Sequence, residues 1–285
     1  MAAWSGNCPD AIAVRVCLAA VFVAVSLASQ APAPATGSAK TWIGKAADIE
    51  EYLRTAAVTR TEATGRGVTK PTRAFFAPGG LVESMTWKAL PPGRAGGFYE
   101  SYKSEIAAYE IDKLLGLDMV PPRVEREFEG SAGVAVMWVD GTRSFADLGG
   151  VPKPPPAMAF KFTREIVRAK MFHNFVGDID PNLGNWLVDP AWNLILIDQS
   201  RALTTTTKLV HEMQQIDRPL WERMRGLTED TLSQRLSRWL DRDHIRAMLA
   251  RRTRLQEQIN RLVKKNGEAR VQDASSMRKA GFGST

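Results

Sequence analysis

Asp180, Asn185 five residues later, and Asp198 are the side chains whose types and spacing could do chemistry in this 285-residue chain. Trp186-Leu-Val188 and Leu194-Ile-Leu-Ile197 are short apolar runs joined by Asp189-Pro190-Ala191-Trp192-Asn193, whose Asp-Pro start favours a turn. They are expected to pair as an antiparallel hairpin. With the turn centred between Ala191 and Trp192, Asn185 would face Asp198, bringing an amide oxygen and a carboxylate to ~5 Å at Cβ. Two such hard-oxygen donors suit Mg²⁺ or Mn²⁺ bound together with substrate phosphates. Asp180 precedes them on a loop that begins at Gly177 and contains Pro181 and Gly184, where its carboxylate can act as a base.

A phosphate-binding cation should then lie elsewhere. In Ser84-Met-Thr-Trp-Lys-Ala-Leu90 the strand alternation puts Ser84, Thr86 and Lys88 on one side and Met85, Trp87 and Ala89 on the other. Lys88, between two apolar residues, needs a partner. Glu105 falls in the next predicted helix, and its neighbours three and four residues away, Tyr102, Ala108, Ser101 and Tyr109, include no basic residue. Joined, the two make the Lys–Glu pair that holds nucleotide phosphates in kinases, with Gly65-Arg-Gly67 as a tight turn over them. Alone, each residue has an ordinary use as a loop cap, a strand lysine or a helix-surface glutamate. Their order, Lys, Glu, Asp, Asn, Asp, is that of the kinase parts and points to ATP and Mg²⁺ or Mn²⁺ as cofactors.

The run Glu105-Ile-Ala-Ala-Tyr-Glu-Ile-Asp-Lys-Leu-Leu-Gly-Leu-Asp-Met-Val-Pro-Pro122, with Gly177-Asp-Ile-Asp180, resembles the atypical kinases of the secreted casein-kinase, HipA-like and phosphoinositide-kinase-like group. The resemblance covers roughly residues 50–265. It implies Asp180 as the catalytic aspartate, Asn185 and Asp198 as metal ligands, Lys88 as the phosphate lysine and Glu105 as its helix partner. Asp178 stands where that group has Asn, which adds a second carboxylate and an alternative base. Gln199-Ser200 replaces the Phe-Gly of ordinary protein kinases, and no His-Arg precedes Asp180, so an ordinary eukaryotic-type kinase is disfavoured.

The elements expected to position these residues define an α+β, two-lobed kinase-like fold with a small β-rich first lobe and a mostly helical second lobe. Helices are expected over 48–57, 100–115, 161–176, 229–239 and 242–266. Short strands are expected between Val58 and Leu90, and a buried strand over Val134–Val139. Gly149-Gly-Val-Pro-Lys-Pro-Pro-Pro156 fits neither a helix nor a central strand and separates lobes of 42–150 and 151–268. Asp140-Gly141 is expected as the turn leaving the strand that joins them. Trp87, Trp138, Trp186 and Trp192 are dispersed among strands and are expected to pack rather than to form a stacking platform.

An uncharged apolar run, Val16–Ala28, follows Arg15 and reads as an export signal over 1–28, with cleavage between 28 and 35. Cys8-Pro9-Asp10 is an unusual start for such a signal, and translation from near Val14 is the alternative. Ala-, Pro- and Ser-rich residues 29–41 read as a flexible linker. Both cysteines, Cys8 and Cys17, lie in the removable piece, so the mature chain would have no thiol. The apolar run would span only about 20 Å as a helix, short of a bilayer core of roughly 30 Å, so no transmembrane helix is expected in the mature chain. The net charge of +7 is concentrated in residues 241–285, with eleven Lys and Arg against five Asp and Glu. That segment reads as a basic helix face and a disordered tail over 269–285, without the interleaved aromatics of a nucleic-acid reader. His173, His211 and His244 carry no zinc spacing. The resulting expectation is an exported phosphotransferase that moves the ATP γ-phosphate to a hydroxyl on a protein, lipid headgroup or small molecule. A pseudokinase, an adenylyltransferase, or a nucleotide-binding or interaction module without transfer is the alternative.

Overall fold

The computed structural model describes residues 1–2, 37–65, 71–95, 98–180 and 182–271. The expected export signal beyond Ala2, Gly67 and the tail beyond Val271 lie outside the described residues.

A five-stranded antiparallel sheet has the order β1-β2-β3-β7-β6, formed by Val58–Ala63, Thr72–Phe76, Ser84–Lys88, Ser131–Met137 and Arg123–Phe128 respectively. A short pair, β4 (Gly93–Ala95) with β5 (Phe98–Glu100), follows β3 in the chain. Strand alternation splits the large sheet into two faces. Ala74, Phe76, Met85, Trp87, Val124, Ala135 and Met137 form one, packed with Ile49 and Leu53 of helix α1 (Ala46–Thr55). Val134 and Val136 lie on the opposite face, against Tyr102 and Ile106 of α2 (Tyr102–Leu115). Helix α2 starts where the Ser101 hydroxyl accepts from the Lys103 amide at 3.1 Å, and stops at Gly116, whose φ of 54° is left-handed.

Strand β8 (Arg143–Ser144) pairs with β9 (Trp186–Val188), which pairs with β10 (Leu194–Leu196). The second lobe's sheet therefore begins ahead of the expected boundary at residue 150. Its helices are α3 (Ala159–Val176), α4 (Arg218–Gly226), α5 (Glu229–Leu236), α6 (Arg242–Asn266) and α7 (Glu268–Val271). They enclose a large apolar core that includes Phe172, Phe175, Leu220, Leu236, Met248 and Leu255. The fold is the α+β, two-lobed arrangement expected.

The hairpin forms, but in a different register. Leu194 faces Val188 and Leu196 faces Trp186, so Asn185 lies opposite Ile197, whose amide donates to the Asn185 carbonyl at 3.0 Å, rather than opposite Asp198. The cause is the turn: the Asp189 amide donates to the Asn193 carbonyl, the Trp192 amide donates to the Asp189 carbonyl, and Trp192 takes a φ of 59°. A three-residue loop with a left-handed third residue centres the turn on Ala191.

Two segments are more ordered than expected. Residues 38–40 fold against this turn instead of forming linker. The Ala39 amide donates to the Asp189 carboxylate at 2.9 Å, the Asn193 side-chain amide to Ser38 Oγ at 3.0 Å, and buried Lys40 meets Glu165 at 3.5 Å. At the other end, α7 takes up the first residues of the expected disordered tail, and the carbonyl of buried Val271 accepts from the Ile216 amide at 3.0 Å.

Candidate active site

Lys88 and Glu105 meet as the sequence predicts, with Lys88 Nζ at 2.7 Å from Glu105 Oε1. The same ammonium is 2.9 Å from Asp198 Oδ1, so one lysine joins the sheet, helix α2 and the residue that follows the hairpin. Burial by itself would lower the Lys88 pKa, but Asp198 and Glu105 outweigh it and hold the ammonium above its ordinary range. Burial also works against the Asp198 carboxylate. Lys88, a hydrogen bond from Ser200 Oγ at 2.8 Å and the Arg123 charge outweigh that and bring it down to about 2. Asp198 reaches this position through a φ of 60°, a conformation that Asp tolerates better than most residues. This turn out of β10, and not pairing within the hairpin, directs its carboxylate to Lys88.

Arg123 is a site residue that the sequence reading missed. It is fully buried on β6, and its Nη1 meets Glu105 Oε2 and lies 2.9 Å from Gln199 Oε1. Glu105 is thus held between two cations. The available signal was that a buried carboxylate has two oxygens to satisfy and Lys88 supplies one partner. Gln199, which replaces the ordinary kinase Phe, spends its side-chain oxygen on Arg123.

The catalytic-loop candidates divide by burial. Asp178 is 2% exposed, and its Oδ1 accepts from the Asp180 amide at 3.2 Å. Burial pushes its pKa up to about 8, and the nearby Asp198 and Asp180 charges add to the rise, so Asp178 is mostly protonated at neutral pH. Behind it, His173 is held down to about 3 by burial and by His211, whose ring is stacked on it with centroids 5.6 Å apart. Asp180 is more open: its Oδ1 accepts from the Asn182 amide at 3.0 Å, and its Oδ2 lies 3.8 Å from Arg201. Arg201 also meets Glu100 at 2.6 Å, and the Ser101 amide donates to the Ser200 carbonyl at 3.0 Å. The start of α2 is thereby tied to the segment carrying Asp198.

Asn185 is buried at the end of a 3₁₀ turn, Leu183–Asn185, and its side-chain nitrogen has no hydrogen-bond partner. The Asn185 side-chain oxygen and the Asp198 carboxylate are the donors that a hard divalent cation with few protein ligands would use, substrate oxygens supplying the rest. Among the described residues no three His, Cys, Asp or Glu side chains converge as a self-contained metal cluster. Gly65 occupies the turn after β1 with a φ of 64°.

By fold the chain is kinase-like: its architecture is shared with solved kinase structures. The structure resembles that of a Golgi casein kinase with Mn/ADP bound, at 13% identity and a TM-score of 0.61, over 80% of this chain and 78% of that one. It also resembles hydra Fam20 solved with sugar, at 13% identity and a TM-score of 0.60, over 79% of this chain and 91% of that one. No protein-family model matches the chain, and no curated protein matches it by sequence. At these identities the fold is what is shared.

Proposed function

We propose that this protein is an exported phosphotransferase that moves the γ-phosphate of ATP to an acceptor hydroxyl. The observation that carries the reading is the Lys88 ammonium held between Glu105 at 2.7 Å and Asp198 at 2.9 Å. Such a lysine sits on the sheet face that meets the nucleotide in kinases, and its charge is preorganised for phosphate oxygens. Glu105, braced from behind by Arg123, keeps Lys88 from drifting into the cleft. Asn185 and Asp198 are the side chains that would hold Mg²⁺ or Mn²⁺, which when bound neutralises phosphate charge. Asp180 accepts the proton of the acceptor hydroxyl, and Asp178 fixes the loop through the Asp180 amide. The acceptor is a hydroxyl on a protein, lipid headgroup or small molecule, and nucleic acid is not a partner. Export rests on the Val16–Ala28 run. No helix among the described residues is long and apolar enough to cross a membrane.

Labelled-ATP transfer, read beside a thermal-shift titration with ATP and Mg²⁺, tests this reading. Asp198→Ala should abolish the metal-dependent shift. Asp180→Ala should keep the shift and lower transfer by about 10²–10⁴-fold. A shift in the wild type without transfer to any hydroxyl would make the protein a pseudokinase or an adenylyltransferase, and full activity in Asp198→Ala would refute the site.

A further inference from the structure

Glu105 can hold Lys88 only while α2 keeps its place, and the second lobe grips that helix along its length. Tyr102, Ile106 and Glu110 recur every four residues and so form a single stripe on α2, beside Glu105. Each of the three meets the segment that runs from α4 to just past α5. Trp239, beyond the end of α5, packs against the cluster of Tyr102, Ile106, Val134 and Val136. One turn of α2 further on, Arg235 Nε lies 2.5 Å from Glu110 Oε2. At the end of the helix, Arg223 of α4 donates from its Nε to the Leu115 carbonyl at 2.6 Å.

The sheet is tied to the same segment. Arg238 Nη2 is 2.6 Å from Glu125 Oε2 on β6, and the other Glu125 oxygen accepts from the Tyr102 hydroxyl at 2.9 Å. The Arg238 guanidinium also lies 4.7 Å from the Trp239 ring centroid. Trp239 is half-buried and touches two cores at once, the Tyr102 cluster and the large apolar core of the second lobe. The arginines of the two ion pairs are exposed, and exposed pairs contribute little. The indole, through the apolar area it covers, carries most of the hold.

We infer that residues 223–239 are a built-in clamp on α2, with Trp239 as the positioning residue that fixes Glu105 beside Lys88 before any nucleotide arrives. The inference rests on the nucleotide reading above. A helix gripped at its first turn, its middle and its last carbonyl can neither roll Glu105 away from the sheet nor swing outward. The start of α2 is anchored on the same lobe by the Ser101 amide on the Ser200 carbonyl and by the pair of Arg201 with Glu100. The chain thus supplies from its own second lobe the contacts that keep the Lys88–Glu105 pair closed, and nucleotide binding need not spend free energy on closing it.

Hydrogen exchange and calorimetric titration with Mg²⁺–ADP, both on the full chain, test the clamp. Trp239→Ala should speed exchange of the α2 amides about tenfold while those of α3 stay protected. It should also weaken Mg²⁺–ADP about tenfold, by lowering the fraction of molecules with Glu105 in place. Trp239→Phe should restore most of both. In a Lys88→Met background Trp239→Ala should cost no further ADP affinity, because the residue it positions is gone. Arg235→Glu, at an exposed site, sets like charges together at Glu110, should weaken ADP about threefold, and serves where Trp239→Ala does not fold. Faster exchange throughout the chain overturns the clamp, as does unchanged α2 exchange in both variants or an equal ADP loss with and without Lys88. Failure of the wild type to bind Mg²⁺–ADP overturns the nucleotide reading, while the exchange of α2 still decides the clamp.

Discussion

At the scale of single residues, the main consequence is a division of labour between two neighbouring carboxyls. Asp178, buried and pushed up to about 8, takes its place in the loop largely as a neutral acid at pH 7, whereas Asp180 lies at the more open position. A neutral Asp178 is close in shape and hydrogen bonding to the Asn that the atypical kinases resembling this chain carry there. Asp178→Asn should therefore retain phosphate transfer within a few-fold, because Asn still offers an oxygen to the Asp180 amide. A loss of about 10²-fold or more in Asp178→Asn, measured by labelled-phosphate transfer, would instead make Asp178 the base. The same scale accounts for Gln199: beside a buried guanidinium it can accept a hydrogen bond that Phe could not.

At the scale of elements, the site depends on two close approaches that leave no room for a side chain. Gly133 on β7 lies against the backbone of Lys88, where an added Cβ would come within 2.3 Å of the Lys88 carbonyl oxygen. Gly133→Ala should push β3 away from β7, costing about 1–3 kcal/mol in urea unfolding and weakening nucleotide binding through the displaced lysine. A variant of wild-type stability and affinity would show that the strands adjust freely. At Gly177, where α3 ends with a φ of 65°, an added Cβ would meet the Arg251 guanidinium at 2.7 Å. Arg251, fully buried on α6, donates to the carbonyls of Phe175, Val176, Thr204 and Thr206. It caps α3 from a different helix and sets where the loop carrying Asp178 and Asp180 departs.

At the scale of the whole molecule, buried titratable groups give the unliganded protein a stability optimum on the acid side of neutrality. Burial raises Asp112 to about 7 and Asp178 to about 8, so the folded state keeps protons that the unfolded chain releases above pH ~4, and stability falls as pH rises through that window. Burial lowers His173 to about 3 and His211 to about 4, so the unfolded chain binds protons below pH ~6.5 that the folded state refuses, and stability falls as pH drops. Between pH ~4 and ~6.5 the two slopes oppose one another. Above that only the carboxyls act, and unfolding free energy should fall by about 2 kcal/mol between pH 6.5 and 8. Urea titrations across this range check it, and the Asp112→Asn/Asp178→Asn double variant should flatten the decline. A wild-type curve that rises toward pH 8 would contradict the burial of these two acids.

The sequence by itself determined what periodicity and chain order can encode. Alternation around Lys88 placed it on one sheet face, the helix expected over 100–115 matches α2 to within two residues, and the order Lys, Glu, Asp, Asn, Asp carried the fold. It also left two orphan charges, Lys88 and Glu105, whose mutual need proved sufficient to pair them. What the tertiary structure decided was whatever depends on one torsion or on partners distant along the chain. A left-handed Trp192 shifted the hairpin by one residue, and a left-handed Asp198 restored its carboxylate to Lys88. Arg123 and Arg251 read as ordinary basic residues until folding buried them against Glu105 and the end of α3. Hydrophobic patterning shows where a residue is buried only when the residue is apolar, and a buried arginine is defined by acceptors from segments that the local sequence does not contain. The Asp180–Asn185–Asp198 spacing was thus legible from the chain alone, while the way Asp198 meets Lys88 was settled by the fold.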